Sequence, residues 1–289
     1  MIALGLNETL SYILVNDKEA KQYTTEDVEA LKLLDPMTEE RNTLRYSVIP
    51  SLFKIYEYNN AHNVKDVSIF EIGKGFHKKD EVYSEENKLA CLMTGEYYLG
   101  LNNTAKVDFY ITKGIVEELL EYLGFAGRYK FIVTDDMPKE LHPGQSARIS
   151  INNDFVGIIG KVHPIKTKDD VFVFEINLDK LLSKPVEKMK YKEISKYPTV
   201  NKDLAIVVNK EVRAQDIEAV IRKSVGALLS NIKLFDVYKG ANIGENKVSM
   251  AYSLSLTPKD KTLTEEEINA TLEKIIKDLN KKLGAELRK

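Results

Sequence analysis

The chain has 289 residues, 43% hydrophobic and 30% charged, with a formal net charge of -2. That length suggests two domains, each able to bury its own core. No run approaches the roughly 20 apolar residues of a membrane span, and the N-terminus MIALGLNETL lacks the basic-then-apolar pattern of a signal or transit peptide, so a soluble, cytoplasmic protein is expected.

A single cysteine, Cys91, rules out an intrachain disulfide, and within LACLM it reads as a small buried side chain rather than a nucleophile. Charge is unevenly spread. From Ile194 onward there are about 17 Lys and Arg against about 13 Asp and Glu, so the tail is basic and the front acidic.

In chain order, SYILV, VSIFEIG, LACLM, RISI, VGIIG and VFVFEI read as strands, and VIPSLFKIYEYNNAH and ITKGIVEELLEYLG as helices. Many strands with few helices between them imply a largely antiparallel sheet with flanking helices. LLSKPVEKMKYKEISKYP, with two prolines and many lysines, reads as a linker.

Beyond it, DLAIVV is a β-branched run expected to form a buried strand. Ile217, Val220, Ile221, Val225 and Leu228 recur at helical spacing, predicting a helix that ends near Ser230. KLFDVYKG is a second strand. Val248, Met250, Tyr252, Leu254 and Leu256 then alternate with Ser249, Ala251, Ser253 and Ser255, a half-buried strand whose exposed face is small and polar.

Thr264 with Glu267 fits a capping box for a helix carrying Ile268, Leu272, Ile275, Ile276, Leu279 and Leu283 on one face, and AELR supplies a last strand. The order βαββαβ is a ferredoxin-like split unit. The fold class is α+β, with expected boundaries at 1–182, a linker over 183–194, and 195–289.

Chemistry is sparse. GKGF at Gly73 to Phe76 lacks the rest of a phosphate-binding signature. His62, His77, His142 and His163 have neither i, i+4 spacing nor cysteine partners, and His142 and His163, each before a proline, suit hydrogen bonding in turns. The acidic TEEE is accounted for by a helix N-terminus. Neither a catalytic residue nor a metal site is expected.

RNA binding is the chemistry that the tail can support. Small polar side chains let a sheet approach a sugar-phosphate backbone while cations at strand ends supply charge. Lys202, Lys239, Lys247, Lys259, Lys261 and Arg288 lie at such ends, with Ser249 on the expected exposed face. That face carries no aromatic, so it is not a stacking platform.

The run YPTVNKDLAIVV, then LFDVYKG, KVSMAYSLSL, DKTLTEEE and GAELR, resembles the ferredoxin-fold anticodon-binding domain that ends the β subunit in the bacterial phenylalanine–tRNA ligase family. Where that family usually has Arg, this chain has Lys202 and Lys261, which keep charge but not a bidentate phosphate grip. DPMTEERNTLRYSVIPSLF, VSIFEIGKGF, LHPGQSARI, VGIIGKVHP and VFVFEI are similar to pieces of the family's catalytic-like domain, related to the class II synthetase fold.

The resemblance implies a non-catalytic scaffold. Arg45 falls where a degenerate second motif would lie, and no third-motif arginine exists, since Arg213 follows Arg148. ATP and magnesium would belong to the holoenzyme, whose partners are a catalytic α subunit, in an α2β2 heterotetramer, and tRNA(Phe). Ile49, Leu52, Phe53 and Tyr56 are candidates for the subunit contact, with core packing as the other reading. The family's β subunit is far longer, so a C-terminal fragment is expected. Two other classes stand as alternatives: an independent carboxylate-adenylating enzyme, and an amino-acid-sensing regulatory module.

Overall fold

In the computed structural model, which describes residues 1–186, 191, 193–240, 243, 244 and 246–288, the chain divides into two units, Met1–Met189 and Lys190–Lys289. Within the expected linker, residues 187–190 and 192 lie outside the described set, as do 241, 242 and 245 of the ANIGENK loop.

The first unit begins with β1 (Asn7–Glu8), β2 (Leu14–Val15), the single turn α1 (Asp17–Ala20), β3 (Thr43–Leu44) and α2 (Ile49–Ala61). The long strands β4 (Val67–Lys79) and β5 (Val82–Thr94) follow, then the hairpin β6 (Glu96–Gly100) and β7 (Asn103–Lys106), and α3 (Phe109–Tyr122). β8 (Tyr129–Ile132), β9 (Leu141–Ile151), β10 (Asp154–Val162), β11 (Phe172–Asn177) and α4 (Leu178–Leu182) complete it.

Seven of these strands form one sheet in the order β1-β4-β5-β11-β10-β9-β8. Every pairing is antiparallel except β1 with β4. The continuous apolar run in β5 has a simple cause: both faces of the sheet are covered. Leu89, Cys91 and Met93 join a core with Ile115, Val116 and Leu120 of α3, while Ala90 and Leu92 join a second core with Ile49, Leu52 and Phe53 of α2.

SYILV departs from expectation. Only Leu14–Val15 pair, with Thr43–Leu44, because Ser11 is drawn instead into side-chain bonds with Glu71 and Arg45.

The second unit runs β12 (Val200–Asn209), α5 (Ala214–Val225), β13 (Leu229–Tyr238), β14 (Lys247–Leu256), α6 (Glu265–Leu283) and β15 (Glu286–Leu287). Its sheet, ordered β13-β14-β12-β15, is antiparallel throughout. This is the βαββαβ ferredoxin-like arrangement. Leu204, Ile206, Val208, Val248, Tyr252 and Leu254 meet Ile217, Ile221, Ile275 and Leu279 of the two helices, each buried aliphatic side chain contributing about 1.5–3 kcal/mol.

Local chemistry sets the helix ends. Thr264 and Glu267 exchange bonds in a capping box at the start of α6, and Gly284, left-handed at φ +63°, stops it. α5 ends at Val225, short of the expected Ser230: Gly226 turns the chain at φ +66° and a 3-10 turn leads into β13.

Candidate nucleic-acid interface

The helices cover one face of the second sheet, and the register fixes which residues occupy the other. Asn201, Asp203, Ala205 and Val207 of β12 lie opposite Ser255, Ser253, Ala251 and Ser249 of β14. On the far side of β14, Lys233 meets Ser253, Asp236 meets Ala251 and Tyr238 meets Ser249. A bulge between Leu234 and Asp236 shifts the alternation of β13 by one residue, so Tyr238 rather than Val237 faces the open side.

One corner of this face is a built cluster. Arg288 follows β15, held by its backbone bond to Ala205. Its guanidinium stands 5.0 Å from the centroid of the Tyr238 ring, and its Nη1 donates to Ser249 Oγ at 3.4 Å. Ser249 is consequently 2% exposed, which corrects its expected place on an exposed face: arginine and tyrosine cover it. Ala251 is buried as well, while Asn201, Asp203, Lys233 and Asp236 remain exposed.

The other sequence candidates separate. Lys247 is on the open side, but its ammonium pairs with Glu286 at 3.2 Å. Lys239 follows Tyr238 and is exposed. Lys202 pairs with Leu254 across the ladder and so lies on the helix-covered face, away from the serines, a correction set by strand parity. Lys259 and Lys261 occupy the loop at the opposite end of the strands, Lys261 in an ion pair with Glu267. Tyr238 was missed from the sequence, because the bulge that turns it outward leaves no mark in the alternation of β14.

In the first unit, Arg45 is wholly buried. It donates from Nη2 to Glu71 Oε1 at 2.8 Å, from Nη1 to Ser11 and Ser51 at 2.7 and 3.2 Å, and from Nε to the Lys74 carbonyl at 3.1 Å. A Cβ at Gly73 would stand 2.3 Å from its Nη2, so only glycine fits there. With its donors turned inward, Arg45 is a structural cross-link between β4 and the start of α2.

A small cleft of about 120 Å³ opens on the same sheet, lined by Tyr46, Glu86, Lys88, Arg148, Glu175 and Lys180 among others. Lys88 donates to the Tyr46 carbonyl at 2.7 Å, faces Glu175 and Glu86 at 3.5 and 3.6 Å, and covers the Tyr46 ring. Glu175 in turn accepts from Ser47 Oγ and the Val48 amide. Arg148 is paired with Asp136, and Lys180 with Glu26 and Glu86.

These residues do not fit a nucleotide triphosphate: each cation is already matched, and the volume is below the ~300 Å³ at which ligand pockets begin. Among the described residues, no three His, Cys, Asp or Glu side chains converge as ligands for a metal ion.

Ile49, Leu52, Phe53 and Tyr56 are all buried within their own unit, which corrects their candidacy for a subunit contact; they are core because α2 lies flat on the sheet. Exposed apolar residues of this unit include Leu10 and Tyr12, which line a shallow groove with Ser51, Lys54 and Ile55 of α2, and Leu34 and Met37 in the loop before β3; Arg41 stands over the Tyr12 ring at 3.9 Å. His142 and His163 use Nδ1 to accept the amides of Gly144 and Ile165. Cys91 is buried, and burial pushes its thiol up.

Known proteins resemble this chain in sequence. The model of the phenylalanyl tRNA synthetase beta chain CLM domain matches residues 1–178, and that of the ferredoxin-fold anticodon binding domain matches residues 195–288. Among curated relatives, the phenylalanine–tRNA ligase beta subunits of Bacillus licheniformis and Bacillus subtilis are 39% and 37% identical over 98% of this chain and 36% of their own length. A solved pyrrolysyl tRNA synthetase of Desulfitobacterium hafniense aligns at 15% identity, with a TM-score of 0.47, over 63% of each chain.

The two family models, side by side over nearly the whole chain, define a chain of the tRNA-synthetase class. More particularly, the chain belongs to the phenylalanyl tRNA synthetase beta chain family. It spans about a third of the length of the curated relatives it matches, 36%. No helix among the described residues is long and apolar enough to cross a membrane.

Proposed function

We propose that the chain is the C-terminal part of a phenylalanine–tRNA ligase β subunit, working in the cytoplasm. In this reading residues 1–182 are a class II-like scaffold without catalysis of its own, 183–194 are a linker, and 195–289 hold tRNA(Phe) near its anticodon. The catalytic α subunit, in an α2β2 assembly, uses ATP and magnesium to attach phenylalanine.

The observation that carries the reading is the Tyr238, Arg288 and Ser249 corner on an uncovered sheet face. Aromatic and guanidinium planes stack on unpaired bases, and the buried Ser249 hydroxyl beneath them holds the guanidinium in place. Lys239 and Lys233 add charge for the backbone. On the first unit, the inward-turned Arg45 and the matched cations of the cleft support a scaffold rather than an ATP site. The exposed Leu10, Tyr12, Leu34 and Met37 support a partner for this unit, since large apolar side chains left in water are candidates for contact surfaces.

Pull-down with the α subunit and with tRNA(Phe), separately and together, tests both halves. Leu34→Asp with Met37→Asp should lose the α subunit and keep RNA, whereas Tyr238→Ala should do the reverse. Retention of both partners by both variants would contradict the reading.

A further inference from the structure

The open face of the second sheet has two ends, and only one carries the tyrosine corner. At the other, the chain entering β12, the turn before β13 and the loop after β14 enclose a cavity of about 960 Å³, within the size range of ligand sites. Leu256 lies seven residue steps along β14 from Ser249, so the two features stand about 23 Å apart along the strand.

The walls of this groove are chemically mixed. Tyr197 supplies a half-buried ring, Lys196 and Lys259 supply cations, and Glu193 and Asp260 supply carboxylates on the same rim. Neither lysine has an ion pair among the bonds of the described residues.

A chain of hydroxyls crosses the floor: Thr199 Oγ1 lies 2.8 Å from Thr257 Oγ1, which donates to Ser230 Oγ at 2.8 Å, which donates to the Ser255 carbonyl at 3.0 Å. Ser195 Oγ, donating to the Pro258 carbonyl at 2.6 Å, ties the entering chain to the loop after β14. The polar path continues onto the open face, where Ser255 Oγ donates to Asn201 at 2.8 Å.

We infer that this groove is a second nucleotide seat for single-stranded RNA, so that the strand crosses the whole open face from the Tyr238 corner to Tyr197. The inference rests on the RNA-binding reading of that face and extends it. Balanced donors and acceptors favour a nucleoside over a bare phosphate: the tyrosine offers a stacking plane, Asp260 an acceptor for a base amine or a ribose 2′-hydroxyl, and Lys196 and Lys259 contacts for the flanking phosphates. Between the two ends Ala251 and Ser253 leave room for the strand, with Lys233 beside its path and the Asp203 and Asp236 carboxylates turning its phosphates outward.

Two single-stranded oligoribonucleotides distinguish the seats, one of about three nucleotides and one of about nine, each titrated against the full chain. Tyr197→Leu and the pair Lys196→Ala, Lys259→Ala should each weaken the longer RNA by about tenfold and leave the shorter unchanged, with melting temperature retained. Unchanged binding of the longer RNA by both groove variants would overturn the second seat. Loss through the groove variants but not through Tyr238→Ala would instead remove the corner and keep the groove. No binding of either RNA by the parent chain would end both.

Discussion

Arg288 spans two strands that are not neighbours: its guanidinium lies 5.0 Å from the Tyr238 ring centroid on β13, while its amide is bonded to Ala205 on β12. The bridge crosses β14 and covers Ser249. It therefore couples Arg288 to the aromatic ring of Tyr238 on the open face. RNA that stacks on Tyr238 must share that ring with Arg288 or displace it.

Arg288→Lys should weaken RNA binding by several-fold while leaving its salt slope near that of the parent, because the charge stays and the planar stack goes. Arg288→Ala should lower both affinity and slope. Filter binding over a range of salt concentrations separates the two.

Arg45→Ala leaves the carboxylate of Glu71 buried without its partner, a loss expected to cost about 3–5 kcal/mol. Replacing both, as Arg45→Met with Glu71→Leu, should cost less than the single change. Urea unfolding followed by circular dichroism reads the difference, and tRNA binding by the second unit should persist in either variant.

Leu52→Ala should destabilise the first unit by about 2–5 kcal/mol, as a truncation in a packed core. Leu34→Asp, at a fully exposed position, should leave the unfolding midpoint within the ±0.5 kcal/mol typical of surface changes. If Leu34→Asp unfolds the protein as Leu52→Ala does, the assignment of core and surface around α2 is wrong.

Glu267 accepts from Lys261 and from the Thr264 amide, and these partners hold its carboxyl below the ordinary glutamate value. A depressed carboxyl stabilises the fold above the unfolded value and loses that contribution as pH falls through the lowered one. Parent and Glu267→Gln should therefore differ in urea midpoint at neutral pH and converge once pH has fallen below the lowered value. Thr264→Ala, which removes the cap itself, should cost about 1 kcal/mol without that pH dependence.

Much of this architecture was legible in the residues. The serine alternation of β14, the Thr264 and Glu267 cap and the apolar stripe of α6 each obey a local rule, and the structure keeps them. What local rules could not supply was the pairing between strands. Ser249 looks exposed within its own strand and becomes buried only when Tyr238 and Arg288 arrive from either side. Lys202 looks like a strand-end cation, yet its parity with Leu254 turns it to the helices. The amphipathic look of α2 likewise could not say which of two partners its apolar face meets, and the sheet of its own unit takes it.

The central claim is that the open face with Tyr238 and Arg288 holds RNA. Titration of tRNA(Phe) into the full chain and into Tyr238→Ala, at low and at raised salt, tests it most directly. The account predicts salt-sensitive binding by the parent and an affinity lower by about 1–3 kcal/mol in the variant. Equal affinities for parent and variant, or binding by the parent that is indifferent to salt, would contradict it.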